Sequence, residues 1–64
     1  MEEQVLWIAR DKDNKLYLYE DKPFVVDGKK FECYYYFDCW RIPEELYPEV
    51  TFENSPKQLI IKQD

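Results

Sequence analysis

The chain has 64 residues, of which 45% are hydrophobic and 19% aromatic, and its net charge is −5. A chain of this length forms one domain at most, residues 1–64, and buries only about 60% of its unfolded surface. The hydrophobic content excludes a disordered chain. No uncharged run approaches the roughly 18 residues that a membrane-spanning helix requires. The acidic start is unlike a secretory signal, so we expect a cytoplasmic protein.

The N-terminal third has the pattern of a β-hairpin. Residues 5–9 and 16–19 are β-prone runs, and the Asp and Asn residues within 11–14 favour a turn between them. In the second run leucines alternate with tyrosines, and alternate residues of a strand face opposite sides. Tyr17 and Tyr19 are therefore expected on an outward face.

The middle of the chain contains the clearest turn signal. Asp27 and Gly28 separate residues 24–26 from residues 29–37, and an Asp-Gly pair between β-prone runs predicts a two-residue type I′ hairpin turn. The returning strand is expected to run continuously through 29–37, with aromatic residues on both faces. Three aromatic residues are assigned to the core: Trp7, Phe31 and Phe37.

The C-terminal third predicts one helical turn and two short extended segments. Pro43 suits the first position of a helix, and acidic residues follow it. Pro48 disfavours helix at the residue before it. Residues 50–52 and 58–62 are expected to be extended. The predicted fold is mainly β: a small antiparallel sheet of five or six short strands with one short helical turn.

Cys33 and Cys39 are expected to be free thiols. Six residues of continuous strand span roughly 20 Å, whereas a disulfide needs Cα atoms within about 7 Å. Disulfides are also rare in the cytoplasm. The chain has no histidine and no C-x-x-C motif, so we expect no metal site.

This sequence has few of the residue arrangements that enzymes use for catalysis. The lack of histidine excludes Ser-His and Cys-His nucleophile pairs, and the single glycine excludes a glycine-rich phosphate loop. Glu44 and Glu45 are adjacent, so on a helix they would face different directions and make a poor acid–base pair. Residues 11–13 begin like a calcium loop, but Lys15 stands where a ligand is needed. We expect a protein that is not an enzyme and uses no cofactor.

The density of aromatic residues is the most prominent feature that could support binding. Residues 34–37 are all aromatic, and Trp40 and Arg41 follow them. Flat rings beside an arginine can stack on a nucleobase and pair with its phosphate, although the same residue types also fill cores and anchor protein interfaces. The candidate ligand-binding residues are Tyr34, Tyr36, Trp40, Arg41 and Arg10.

Negative charge is concentrated in the C-terminal half. Between residues 38 and 56 there are five acidic residues and one basic residue, Arg41. This balance makes phosphate-driven nucleic-acid binding an unfavourable interpretation. An acidic face that meets a basic protein partner remains open, as does a purely solubilising role.

Three segments resemble a family of very small bacteriophage and prophage proteins of gut-type bacteria. They are residues 7–19, 22–23 and 46–56, and they include an Ala-Arg-Asp-Lys-Asp hairpin and a Pro-Glu-Val-Thr-Phe-Glu run. Asn14 stands where the family usually has glycine, which is conservative at a left-handed turn position. The resemblance covers about half of the chain. It implies a phage origin and assigns no role to any residue.

These observations leave three functional hypotheses. The first is a homo-oligomeric counter-defence protein that sequesters a small nucleotide immune signal in the host cytoplasm. The second is an inhibitor whose acidic residues 44–53 dock on a basic host protein. The third is an accessory structural domain of the phage. A concave pocket with inward-pointing arginine favours the first, and a convex acidic face favours the second.

Overall fold

The computed structural model describes residues 2–34 and 39–63, and within them it contains six β-strands and no helix. The strands are β1 (Glu2–Arg10), β2 (Leu16–Tyr19), β3 (Phe24–Val26), β4 (Lys30–Glu32), β5 (Cys39–Ile42) and β6 (Lys57–Gln63). Every strand pairing is antiparallel. The prediction of a mainly β fold with five or six short strands is confirmed.

Four of the strands form the main sheet, in the order β5-β2-β1-β6. The predicted first hairpin is present, because β1 pairs with β2 through a register that joins Trp7 to Tyr19 and Arg10 to Leu16. Asn14 has a φ of 79° in the connecting turn. This is the left-handed conformation that glycine and asparagine adopt at the lowest cost.

The remaining two strands, β3 and β4, form a small second sheet. Asp27 and Gly28 have φ values of 55° and 61°, and the Lys29 N–H donates to the carbonyl of Val26 over 3.1 Å. Both positive φ values agree with the predicted type I′ turn. Lys29 is one further loop residue, since the strands pair from Val26 and Lys30 onward.

Gly28→Val should destabilise the protein by about 1–3 kcal/mol, because a β-branched residue is strained at positive φ. No atom lies within 4 Å of where a Cβ would stand, so the penalty comes from the backbone rather than from a clash. Gly28→Asn is the matched control and should cost much less, since asparagine tolerates this conformation. Urea denaturation measures both variants, and equal midpoints would contradict the turn assignment.

The long returning strand predicted for 29–37 is wrong. β4 ends at Glu32, opposite Phe24, which is the first residue of β3. Pro23 precedes Phe24 and has no N–H to donate, so the ladder between β3 and β4 ends at this pair. Cys33 and Tyr34 lie outside the strand. Residues 35–38, with the candidate Tyr36 and the core prediction for Phe37, lie outside the described residues.

The predicted helical turn after Pro43 is also wrong. Residues 44–46 form a turn that has one hydrogen bond from the Leu46 N–H to the carbonyl of Pro43, at 3.2 Å. Tyr47 then takes a φ of 50°, which a right-handed helix does not allow. In the part of the chain that the structure describes, no helix is long and apolar enough to cross a membrane.

Residues 50–52 are not the extended segment that was predicted. Thr51 and Asn54 lock a turn with reciprocal bonds: the Thr51 N–H donates to Asn54 Oδ1 at 2.8 Å, and the Asn54 N–H donates to Thr51 Oγ1 at 3.2 Å. Such side-chain bonds compete with extended backbone. The strand expected at 58–62 is confirmed as part of β6.

The core consists of one cluster on each face of the main sheet. On the first face, buried Ile8 and Leu16 pack with Val50, which belongs to the segment after β5. On the second face, buried Ala9 and Tyr19 pack with Phe31 of β4. Phe31 is therefore a core residue as predicted, and half-buried Trp7 packs against the same cluster. The small sheet thus packs on the second face, whereas the segment 43–56 contributes Val50 to the first cluster and half-buried Phe52 to the second.

Candidate functional site

The most fully bonded side chain in the described structure is Arg10, the last residue of β1. It is 6% exposed, and its guanidinium lies under residues 43–50, a segment that we call the acidic loop. Arginine has five N–H donors and no acceptor. Those five donors meet five backbone carbonyls, four of which belong to the acidic loop.

The geometry of these bonds is close to ideal. Nε donates to the Val50 carbonyl at 2.6 Å. Nη1 donates to the carbonyls of Asn14 and Glu44 at 2.9 and 3.0 Å. Nη2 donates to the carbonyls of Leu46 and Tyr47 at 3.1 Å each. A buried charge is tolerated only when it is bonded in this way, so the arginine fixes the backbone of the acidic loop.

The outer surface of the acidic loop combines acidic and apolar side chains. Glu44, Glu45 and Glu49 are exposed, and Leu46 and Tyr47 are exposed large hydrophobic residues between them. The loop ends at buried Val50, which anchors it to the main sheet. A fixed backbone therefore presents two apolar side chains within a rim of negative charge.

Sequence reasoning placed Arg10 at a ligand-binding surface, and the structure does not. Its donors are taken by backbone carbonyls, four of which lie 34 to 40 residues away, so it has none left for a phosphate. One signal could have indicated this role. Leu6, Ile8 and Arg10 alternate along one strand, so the arginine falls on the same face as two buried apolar residues.

Trp40 and Arg41 do not act together at one pocket. They are neighbours in β5, where Trp40 pairs with Leu18 and Arg41 pairs with Tyr17. Consecutive strand residues point to opposite faces of a sheet, so the indole and the guanidinium lie on different sides. Both side chains are exposed, and Arg41 Nη2 forms an ion pair with Glu44 Oε1 at 3.3 Å.

Among the candidates that the structure describes, Tyr34 is the most exposed, at 81%. Its ring contacts that of Phe24, with centroids 4.9 Å apart, so it belongs to the surface of the small sheet. Tyr36 lies outside the described residues. The structure therefore places Tyr34, Trp40 and Arg41 at the surface and does not gather them into one site.

A hollow of about 330 Å³ lies where the small sheet meets the main sheet. Its lining residues are Asp11, Tyr17, Tyr19, Lys30, Phe31, Glu32, Cys33 and Cys39. The prediction that Tyr19 points outward is wrong, because the ring is 2% exposed and its hydroxyl donates to the Phe31 carbonyl at 3.3 Å. Burial raises the pKa of the Tyr19 phenol, and the nearby Asp11 carboxylate raises it further.

The geometric reason given for keeping Cys33 and Cys39 apart does not hold. Cys33 follows β4 and Cys39 begins β5, so they do not lie on one continuous strand. Both are half-buried, and both line the hollow beside Tyr19. That both residues are thiols in solution stays a prediction.

Asp11 connects the two sheets through a buried carboxylate. Its Oδ1 accepts the Phe31 N–H at 2.9 Å, and the next residue, Lys12, donates its N–H to the Lys29 carbonyl at 2.8 Å. Burial raises the pKa of the Asp11 carboxyl, and the bond from Phe31 only partly offsets this. The charged form of the Asp11 carboxyl therefore destabilises the folded state, and the hydrogen bond from Phe31 offsets only part of this cost.

Asp11→Asn should be more stable than the wild type at pH 7, because the amide oxygen keeps the bond to Phe31 without the buried charge. The sign follows from the raised pKa of the folded state: protonation stabilises the fold at low pH, and that stability is lost as the pH rises through the folded pKa. The advantage of the variant should therefore shrink as the pH falls toward 4. Asp11→Ala, which removes the acceptor, should instead cost about 1–3 kcal/mol. Denaturation curves across this range test both, and an asparagine variant less stable than the wild type at pH 7 would contradict the account.

Comparison of the chain with known protein families, with curated protein sequences and with solved structures finds no match. The resemblance to small phage proteins therefore stays a prediction. On its own features, the chain is a small antiparallel β domain in which a buried arginine holds an exposed acidic loop.

Proposed function

We propose that this protein is a non-enzymatic binding protein whose acidic loop engages a basic surface of a partner protein. With the phage origin that the resemblance implies, the partner is a host defence protein, and the activity is inhibition in the host cytoplasm. The observation that carries the proposal is the Arg10 side chain, which uses all five of its donors to hold the loop and the adjoining hairpin turn.

A loop with a fixed backbone is suited to binding because its conformational entropy has been lost before the partner arrives. Tyr47 is an anchor of the kind enriched at the centre of interfaces, and exposed Leu46 adds apolar area beside it. The three glutamates of the loop form a charged rim that speeds encounter with a positive surface and excludes partners of the wrong sign. The loop therefore supplies both affinity and selectivity.

The backbone of Tyr47 supports the same interpretation. Its φ of 50° lies in the left-handed region, which is costly for a bulky residue. Strain of this kind persists where the surrounding structure enforces it, and it is concentrated at functional sites. Arg10 Nη2 bonds to the Tyr47 carbonyl and so contributes to holding this conformation.

A charge-matched pair of variants tests the proposal in pull-downs from host bacterial lysate with quantitative mass spectrometry. The loop variant carries Glu44→Gln, Glu45→Gln and Glu49→Gln. The control carries Glu20→Gln, Asp21→Asn and Asp27→Asn, which removes the same charge at exposed positions outside the loop. The loop variant should lose about tenfold or more of the bound partner, and the control should retain it. Equal retention by both variants would contradict the proposal.

A second candidate function is the sequestration of a small nucleotide. The observation that favours it is the hollow, whose 330 Å³ is within the size range of small-molecule sites and whose wall includes two tyrosines and Lys30. A tyrosine ring can stack on a base, and a lysine can meet a phosphate. The Glu32 carboxylate lies 3.3 Å from Lys30 Nζ and opposes an anionic ligand, so we place this function second.

Calorimetry with a panel of cyclic and ADP-ribose-type nucleotides distinguishes the two functions. A nucleotide-binding protein should release or absorb heat with at least one of them, and Tyr17→Ala should weaken that binding about tenfold. Tyr34→Ala and Trp40→Ala test the stacking roles expected from the sequence. The absence of binding heat across the panel, together with partner loss in the loop variant, would leave protein binding as the function.

A further inference from the structure

We propose that β6 is the interface of a symmetric homodimer, in which two copies of the chain join edge to edge into one continuous sheet. The proposal does not depend on the acidic loop or on its partner. It starts from the strand order β5-β2-β1-β6, in which β6 is an edge of the main sheet. Edge strands present a row of backbone N–H and C=O groups that can pair with another chain.

β6 lacks the features that usually protect an edge. It pairs with β1 at every residue from Lys57 to Gln63 without a bulge, so it is straight enough to accept a neighbour. The middle of the strand, residues 59–61, is uncharged and contains no proline. Ile60 and Ile61 are both exposed large hydrophobic residues. The opposite edge, β5, has only four residues and offers fewer backbone bonds.

The sequence of β6 is self-complementary in the antiparallel direction. A two-fold axis at Ile60 places Lys57 opposite Gln63, Gln58 opposite Lys62 and Leu59 opposite Ile61 of the partner. The apolar residues at the centre of the strand thus meet apolar residues of the partner. Cross-strand pairs of this kind stabilise a sheet, whereas like charges directly opposite destabilise it.

The neighbouring registers are less favourable. Residues opposite each other in a sheet share a face, so the neighbouring two-fold registers place the axis at Leu59 or at Ile61. An axis at Leu59 brings Lys57 opposite Ile61, and an axis at Ile61 brings Leu59 opposite Gln63. The register centred on Ile60 also extends an apolar row. Ile60 pairs with exposed Val5 of β1, so the dimer aligns Val5, Ile60, the partner's Ile60 and the partner's Val5 on one face.

Analytical ultracentrifugation of the full chain at micromolar concentration tests this proposal. The wild type should sediment at twice the chain mass of 8.0 kDa. Ile60→Lys opposes two like charges at the two-fold axis and should therefore sediment at the mass of one chain. The matched control is Val25→Lys, because Val25 and Ile60 are each 52% exposed and Val25 lies in the small sheet. The control should remain dimeric.

A pair of oppositely charged variants distinguishes the loss of the dimer interface from a folding defect. Ile60→Glu alone should be monomeric like Ile60→Lys, and an equimolar mixture of the two variants should recover the dimer mass, because opposite charges then face each other. A wild type at the mass of one chain would overturn the proposal. So would an Ile60→Lys variant that stays dimeric, or a mixture that remains monomeric.

Discussion

Replacing Arg10 with methionine is expected to cost on the order of 3–5 kcal/mol of folding stability, because hydrogen bonds to a charged group contribute about 1.5–3 kcal/mol each and the desolvation of the guanidinium offsets part of their sum. Methionine fills a similar volume but donates nothing, so five backbone carbonyls lose the bond from Arg10, and that of Tyr47 keeps its bond from the Val50 N–H. Each buried carbonyl that stays unbonded carries a desolvation penalty. The loss is comparable to the roughly 3–5 kcal/mol that the core of so small a domain supplies.

The matched control for this change is Arg41→Met. Arg41 is exposed and forms a surface ion pair with Glu44, and such pairs contribute about 0–1 kcal/mol. Urea denaturation of both variants measures the difference. Hydrogen exchange adds a local readout, since amides of the acidic loop should lose protection first in the Arg10 variant. Equal stability of the two variants would contradict the role of Arg10.

Replacing Phe31 with alanine is expected to cost about 3–5 kcal/mol, as for other buried phenylalanines. Phe31 is the side chain through which the small sheet packs on the main sheet, where it contacts Ala9 and Tyr19. Its ring also lies 5.6 Å from that of Phe52, measured between centroids. Removing it should loosen the small sheet, because the other links among the described residues include only hydrogen bonds of Asp11, Lys12 and Tyr19 to the backbone of residues 29–31.

Phe24→Ala is the control for Phe31, since Phe24 is an exposed aromatic residue of the same small sheet. It should cost no more than about 1 kcal/mol. Denaturation midpoints give the size of each effect, and hydrogen exchange at residues 24–32 shows whether the small sheet opens. A Phe31 variant that matches the Phe24 variant would contradict the packing described here.

Local signals in the sequence predicted the two hairpins correctly. The residues at 11–14 and the Asp27-Gly28 pair define their turns through their own backbone preferences, so no knowledge of distant residues was needed. β5 was not predicted, because no local signal marks it. It is a strand because it pairs with β2, more than twenty residues earlier in the chain, and four residues carry too little pattern to reveal this pairing.

The candidate site was less predictable than the fold. Arg10 was assigned to a surface because its acceptors are carbonyls of residues 34 to 40 positions away, and sequence pattern does not reveal backbone acceptors. The expected helical turn stops after a single hydrogen bond, because Tyr47 takes a φ of 50° and Pro48 has no N–H to donate. Had β5 been predicted, Trp40 and Arg41 would have been assigned to opposite faces of the sheet, because consecutive residues of a strand point to opposite sides.

Site-specific photocrosslinking in host cells tests most directly whether the acidic loop is the protein-binding surface. A photoreactive phenylalanine analogue replaces Leu46 in one variant and Val25 in the other, at side chains that are 45% and 52% exposed. We predict a covalent adduct to a basic host protein from position 46 only, and its loss when Glu44, Glu45 and Glu49 are changed to glutamine. No adduct from position 46, or the same adducts from both positions, would contradict the account.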